Sequence, residues 1–475
     1  MKKVIFTIIG SLIAFSLSAK IWMPSVFSDN MVLQQQSDVA FWGTSKSGAK
    51  ISISTSWSKA KVSITADDTG KWFARVKTPS AGGPYSITVS DGEKVTFSNV
   101  LIGEVWFCSG QSNMEMPVKG FNGQPVEGAT DVILSAKPST PIRMCTVKKC
   151  TSATPKTDCK AIWLENYPDA VANTSATAYF FARYLQMALD VPIGILIANW
   201  GGTLIEPWIS RDVMSEKFPE YDLSFLDGEK LPEKSQYKPC TLFNGMVNPL
   251  IPYTIKGWIW YQGESNRGME DMYVKLQPAY AQMMRDLWGE PDMPFYFVQI
   301  APYSFKGDAL DQTAARLMEA QAKTLDLIPH SGMATTADIG EEWCIHPAKK
   351  KEVGRRLALM ALKNDYGKPV WGAFAPMFSR AEYREDGKVL LFFKNNDSGL
   401  GPVNEDIPGF EVAGEDRVFY PATGRVQKGY ATILVSCPDV EKPVAVRYVF
   451  HNYAPGLVHN GNGIAMPPFR TDDWE

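Results

Sequence analysis

From residue 20 to about residue 100, apolar and polar positions alternate, as in Lys50-Ile51-Ser52-Ile53-Ser54 and Tyr85-Ser86-Ile87-Thr88-Val89, with Gly or Asp-Gly turns between the runs. A period of two turns one face of each run to a core and the other to water. The pattern predicts a small β-sandwich over residues 20–100. Trp42-Gly43 and Asp68-Thr69-Gly70-Lys71-Trp72 fall at strand ends in this reading, where a tryptophan is core more often than a sugar platform. After Gly103 short apolar runs alternate with stretches of helical period. Strands are predicted at residues 105–108, 193–198, 257–261, 295–300 and 332–337, and helices at 178–189, 272–288, 313–325 and 349–362. Phe181, Tyr184, Leu185 and Ala188 share one face of the first helix, and Val353, Leu357, Met360 and Ala361 one stripe of the last. Such alternation implies an α/β domain over residues 101–367, a parallel sheet covered on both faces with its ligand site beyond the carboxyl ends of the strands. From about Lys368 the period of two returns, in Lys388-Val389-Leu390-Leu391-Phe392-Phe393 and Pro443-Val444-Ala445-Val446-Arg447-Tyr448-Val449. A second β-sandwich is expected over residues 368–475.

Residues 1–19 follow neither pattern. Met1-Lys2-Lys3 precedes an apolar stretch from Val4 to Phe15 and then Ser16-Leu17-Ser18-Ala19, the charged start, apolar core and small-residue end of an export signal. Cleavage there predicts a secreted or periplasmic protein. No later segment offers the eighteen or so apolar residues of a membrane span, so no span is expected in the mature chain. A length of 475 residues suits two or three cores. With 48 basic and 51 acidic side chains, and no basic run interleaved with aromatics, a nucleic-acid partner is not expected. Seven cysteines fit an oxidising compartment but contain no Cys-x-x-Cys pair of the kind zinc sites use, and a disulfide is most plausible among Cys145, Cys150 and Cys159.

Candidate chemistry gathers in loops that leave predicted strand ends. Ser109-Gly110-Gln111-Ser112-Asn113-Met114 follows the first α/β strand. A serine in such a turn exposes its hydroxyl, and its backbone N–H can hold the oxyanion formed on attack. The second glycine of Gly-x-Ser-x-Gly is absent, so this is not the usual α/β-hydrolase elbow. Asn199-Trp200-Gly201-Gly202-Thr203 offers paired glycines whose N–H groups can approach a substrate, which suits an oxyanion hole as well as a plain turn. In Trp260-Tyr261-Gln262-Gly263-Glu264-Ser265-Asn266, Gln262 can donate its amide to the same oxyanion, Glu264 can orient neighbours, and Ser265 competes as nucleophile. The local pattern leaves Ser112 and Ser265 both open. Only His330, His346, His451 and His459 can serve as base, and His346, in Cys344-Ile345-His346-Pro347, lies in the last loop of the α/β section. No metal or other cofactor is required for such chemistry, and no His/Asp cluster at ligand spacing suggests one.

Taken together, these blocks resemble the sialate O-acetylesterase family, a branch of the SGNH-type hydrolases. The resemblance rests on Phe27-Ser28-Asp29-Asn30-Met31-Val32-Leu33-Gln34, on Gly103-Glu104-Val105-Trp106-Phe107-Cys108-Ser109-Gly110-Gln111-Ser112-Asn113-Met114-Glu115, and on the block from Trp260 to Asn266. Asp338-Ile339-Gly340, Ile345-His346-Pro347 and Pro467-Pro468-Phe469-Arg470 complete it. It implies an SGNH-like three-layer α/β domain with sandwich-like flanks, acting on an O-acetylated carbohydrate. It further implies Ser112 as nucleophile, His346 as base, and an oxyanion held by the Ser112 N–H, a glycine of the Gly201-Gly202 pair and Gln262. Where many relatives read Asp-Ile-His-Pro, this chain carries Cys344, a poor substitute for a carboxylate. Asp338, Glu341 and Glu342 are the nearby acids that could orient His346; a backbone carbonyl would instead leave a Ser-His dyad. Sialic acid follows from the family, and acetylated xylan, pectin or another glycan is equally compatible. A carbohydrate-binding protein without activity is a second reading. A glycoside hydrolase using Asp338 with Glu264 is a third.

Overall fold

The computed structural model describes residues 20–474, so the expected export signal lies outside the described residues. The central sheet runs, in spatial order, Ser331–Ala334, Phe295–Val298, Gly257–Tyr261, Lys94–Gly110, Ile193–Asn199, Ile142–Thr146 and Trp163–Leu164. All neighbours are parallel except the last pair. Helices Ala176–Leu189 and Lys350–Asn364 cover one face, where Trp106, Cys108, Ile195, Ile197 and Ile259 are buried. Helices Glu270–Trp288 and Thr313–Lys323 cover the other, over Val105, Phe107, Leu196, Trp258 and Trp260. Successive residues of each strand thus enter opposite cores, which is why these strands read as unbroken apolar runs. Each large side chain so buried contributes roughly 1.5–3 kcal/mol.

Four of the five predicted strands and the four predicted helices appear within a few residues of their expected bounds, whereas the strand expected at residues 105–108 is the end of one that starts at Lys94. The pair Ile142–Thr146 and Trp163–Leu164 was not expected. Arg143 interrupts the apolar run of the first, tolerated there because its guanidinium pairs with Glu165, and the second is two residues long.

The N-terminal strands form two antiparallel layers, Asp38–Thr44 with Lys71–Lys77, and Lys50–Thr55 with Ser58–Thr65 and Gly82–Ser90. Lys94–Gly110, 17 residues long, pairs antiparallel with Gly82–Ser90 through its first half. Its second half is the middle strand of the parallel sheet. It crosses residue 100 without a break, and one core holds Phe41 and Ile53 of the N-terminal layers together with Phe107 and Trp258.

The C-terminal strands make a seven-stranded antiparallel sheet with its own core. Phe378 on its first strand stacks on Phe469 of its last, with centroids 4.5 Å apart, so the sheet curls nearly closed. It is fixed to the α/β body by Arg470 on Glu319 and by Thr335 Oγ1 donating to Ala465 O at 2.6 Å. All seven cysteines, Cys145, Cys150 and Cys159 included, carry free thiols, so the expected disulfide is absent from this structure. Among the described residues no helix is long and apolar enough to cross a membrane.

Candidate active site

Gly110 at the end of the middle strand lies opposite Asn199 on one side and Tyr261 on the other, so three loops leave the sheet at one level. Gly110 has φ +146°, and a Cβ there would stand 2.1 Å from Tyr261 O, an approach only glycine allows. The chain then turns into a short helix, Ser112–Glu115, that begins on Ser112. The serine is therefore presented at a strand-to-helix turn, as expected. Its histidine comes from the edge of the sheet, in the loop between Ser331–Ala334 and Lys350–Asn364.

Asn113 joins these loops. Its Nδ2 donates to Ile345 O at 3.0 Å, so the residue after Ser112 is bonded to the residue before His346. The same amide donates to Glu264 Oε1 at 2.5 Å, and its Oδ1 accepts from Lys350 Nζ at 2.6 Å. Asn113, Glu264 and Lys350 are all buried. Burial raises the Glu264 carboxyl, opposed by its bond to Asn113 and by the Lys350 charge. It pushes the Lys350 ammonium down to about 7, opposed chiefly by Glu264.

His346 Nδ1 lies 2.7 Å from Gln124 Oε1. A carboxamide oxygen can only accept, so this bond assigns the proton to Nδ1 and leaves Nε2 as the basic nitrogen. Phe121 packs edge-on against the imidazole, centroids 5.2 Å apart. Burial, then the Lys350 charge, hold the histidine down to about 4, with the Glu115 carboxylate pulling the other way. The ring is thus oriented by a neutral group and lacks a carboxylate partner to stabilise its protonated form.

None of the expected acids takes that place. Asp338 is held by the buried Arg356 through two bonds, at 2.8 and 2.6 Å. Glu341 Oε1 accepts from Ala348 N at 2.6 Å, and Glu342 takes part through its backbone oxygen, which accepts from Ser304 N at 3.0 Å. Cys344 Sγ donates to the backbone oxygen of His346 at 3.3 Å rather than reaching the ring. The Asp338 carboxylate is thus taken up by Arg356, and among the described residues no hydrogen bond joins Asp338 or Glu342 to the His346 ring.

Of the expected oxyanion donors, Gly201 is well placed. A Cβ built on it would lie 3.2 Å from Ser112 Cβ and 3.2 Å from Glu115 Oε2. Its N–H donates to that Glu115 oxygen at 2.5 Å, and Lys149 Nζ holds the other carboxylate oxygen at 2.6 Å. Gly202 is exposed, with the Tyr237 hydroxyl as its nearest neighbour. Gln262 is fully buried and its amide is committed: Nε2 donates to Thr203 O and Asn266 Oδ1 at 3.1 and 2.7 Å, and Oε1 accepts from Tyr273 at 3.1 Å. In this structure the Gln262 amide, expected at the oxyanion, holds the Thr203 and Asn266 loops together.

Ser265 donates its N–H to Gln111 Oε1 at 3.4 Å, in a turn that no histidine approaches by hydrogen bond among the described residues. His330 is fixed on Asp365 at 2.8 Å, at the opposite end of the sheet, and His451 on Glu411 at 2.9 Å. His459 Nδ1 sits on Asn460 O at 2.8 Å in a two-stranded pair with Leu400–Gly401. The turn that carries Ser112 is joined to the loop that carries His346 through Asn113 and Ile345. Gln124, Glu115, Lys149 and Lys350 were not anticipated.

Residues 102–363 match the family model described as carbohydrate esterase, sialic acid-specific acetylesterase. A sialate O-acetylesterase of Mus musculus is 27% identical over 512 residues, covering 94% of this chain and 93% of that protein. The Homo sapiens sialate O-acetylesterase is 28% identical over 380 residues, covering 72% of this chain and 71% of that one. The solved structure of a carbohydrate acetylesterase from Xanthomonas citri superposes with a TM-score of 0.85 at 33% identity, covering 96% of this chain and all of that chain. Matched over the stretch that carries Ser112, Gly201 and His346, the chain belongs to the sialic acid-specific acetylesterase family of carbohydrate esterases.

Proposed function

We propose that this protein hydrolyses acetyl esters on a carbohydrate, sialic acid first among them, through an acetyl-enzyme on Ser112. The observation that carries the reading is the Asn113 bridge, which binds the serine turn to the histidine loop at 3.0 Å. His346 Nε2 takes the Ser112 proton as Oγ attacks the acetyl carbonyl. The resulting oxyanion is met by the Ser112 N–H and by the Gly201 N–H, once the acyl oxygen displaces Glu115 from the latter. Collapse breaks the bond to the sugar oxygen, which takes the proton from His346 and departs as the hydroxyl. Water, deprotonated in turn by His346, then releases acetate and frees Ser112. The helix-sheet-helix body, with its serine after the middle strand and its histidine after the edge strand, supports an SGNH-type assignment.

A broader substrate reading, an acetylated plant or bacterial glycan, is favoured by the near full-length likeness to the Xanthomonas citri carbohydrate acetylesterase. Acetate release across O-acetyl sialic acids and acetylated xylan separates the two, with Ser112→Ala as control. A serine-directed phosphonate should label Ser112 in the wild type; labelling elsewhere, or equal acetate release by Ser112→Ala, sinks the mechanism. We also propose export with cleavage after Ala19, which N-terminal sequencing of the secreted or periplasmic protein tests.

A further inference from the structure

The outer face of the N-terminal layer carries aromatic rings where its alternation calls for polar side chains. Strand Lys71–Lys77 buries Trp72, Ala74 and Val76 and exposes Lys71, Phe73, Arg75 and Lys77. Phe73 is the apolar residue on that solvent face and is 48% exposed. Its cross-strand partner is Trp42, and Lys71 pairs with Thr44. Trp22 adds a third rung, exchanging backbone bonds with Thr44 at 2.9 and 3.0 Å, and is 38% exposed. Cross-strand partners share a face, so Trp22, Trp42 and Phe73 form one aromatic surface.

That surface is one wall of a groove of about 420 Å³, closed opposite by Asn248 and the prolines beside it. Trp42 lines it half-buried, set edge-on against Phe27 at 4.7 Å. Asp67 and Lys71 stand at the groove. Asp67 Oδ1 already accepts from the backbone and hydroxyl of Thr69 and from Lys71 N, so the loop is rigid and Oδ2 lies outside those bonds. Asn248 Nδ2 is held by Lys156 O at 2.9 Å, which fixes the opposite wall.

We infer that this groove is a second carbohydrate site, taking neutral pyranose units of a glycan chain, apart from the Ser112 centre. A sugar ring has an apolar C–H face that stacks on an aromatic ring and an equatorial rim of hydroxyls. The groove supplies both, with exposed rings for the face and a carboxylate, an ammonium and an amide for the rim. One acid and one amine leave no net charge to attract an ionic ligand. Its volume falls in the range of small-ligand sites, roughly 300–1,000 Å³, and the patch is small beside the ~800 Å² per partner of a stable protein interface. The inference does not depend on which residues perform the chemistry.

The test is titration of the full protein with xylohexaose and with cellohexaose, read by calorimetry and tryptophan fluorescence. Saturable binding of at least one is expected, weakened about tenfold or more by Phe73→Ala and by Trp22→Ala, while kcat/KM on an aryl acetate stays within about twofold. Phe73→Ala leaves the buried half of its strand intact, so folding is not at stake, and thermal melts check Trp22→Ala. Absence of binding by either sugar overturns the proposal. So does binding retained in both variants, or binding lost when a phosphonate blocks Ser112. Loss of aryl acetate hydrolysis in Ser112→Ala bears on the catalytic reading alone.

Discussion

Replacing Gln124 by glutamate would put a charge where the structure has only a dipole. His346 Nδ1 rests on the Gln124 carboxamide at 2.7 Å, and the ring sits at about 4 because burial and Lys350 disfavour its protonated form. A carboxylate at hydrogen-bond distance raises a partner's pKa by roughly 1–3 units, which would bring His346 to between about 5 and about 7. Each unit corresponds to about 1.4 kcal/mol in favour of the imidazolium. The base works only when neutral, so kcat/KM rises with pH through the His346 pKa and is level above it. Gln124→Glu should therefore carry the acid limb upward by those roughly 1–3 units. Removing the carboxylate of a serine-protease triad costs about 10⁴ in kcat; supplying one here, where the surroundings did not evolve around it, should raise the plateau by a smaller factor, on the order of tenfold. The assay is acetate release from an aryl acetate across the acid and neutral range, with Gln124→Ala as companion. An acid limb that stays in place in Gln124→Glu, with an undiminished rate in Gln124→Ala, would refute the role assigned to this contact.

Other outcomes follow from the same neighbours. Lys350→Met removes the charge that helps hold His346 down, so the acid limb should move up, whereas Glu115→Gln removes the opposing carboxylate and should move it down; the two pH profiles check the signs. Gly201→Ala places a methyl 3.2 Å from Ser112 Cβ and displaces the N–H beside the serine, so kcat should fall, by as much as the roughly 10²–10³-fold seen when one oxyanion donor is lost. Asp338→Asn removes one of the two carboxylates on the buried Arg356, which keeps Glu352 at 2.9 Å, and should lower stability by about 1–2 kcal/mol in denaturant unfolding, yet leave the acid limb where it was, which a triad acid could not do.

The fold was largely legible because a parallel strand buried on both faces writes an apolar run, and a helix packed on one face writes a stripe, as residues 257–261 and 349–362 did. Turn chemistry and the scarcity of histidine narrowed the candidates, and only the family resemblance set Ser112 before Ser265 and paired it with His346. Their surroundings were hidden for a different reason. Gln124 meets His346 across 222 residues, and nothing in a glutamine's local pattern records a contact made by folding. Asp338 misled in the converse way: it lies near His346 in the chain, but Arg356, two turns into the following helix, faces it with a better-matched charge. Gln262 stood at the right strand end, and its side chain turned out to be occupied in holding loops together.

The 17-residue strand Lys94–Gly110 also determines how the molecule comes apart. A strand that pairs with Val32–Gln34 and Gly82–Ser90 in the N-terminal sheet and then runs on as the middle of the parallel sheet cannot be surrendered by one sheet and kept by the other. The N-terminal layers and the catalytic body should therefore melt as a single cooperative transition, and deleting the first of them would expose Phe107 and Trp258 rather than release an independent module. Recombining domains among relatives would have to treat this pair as one exchangeable piece.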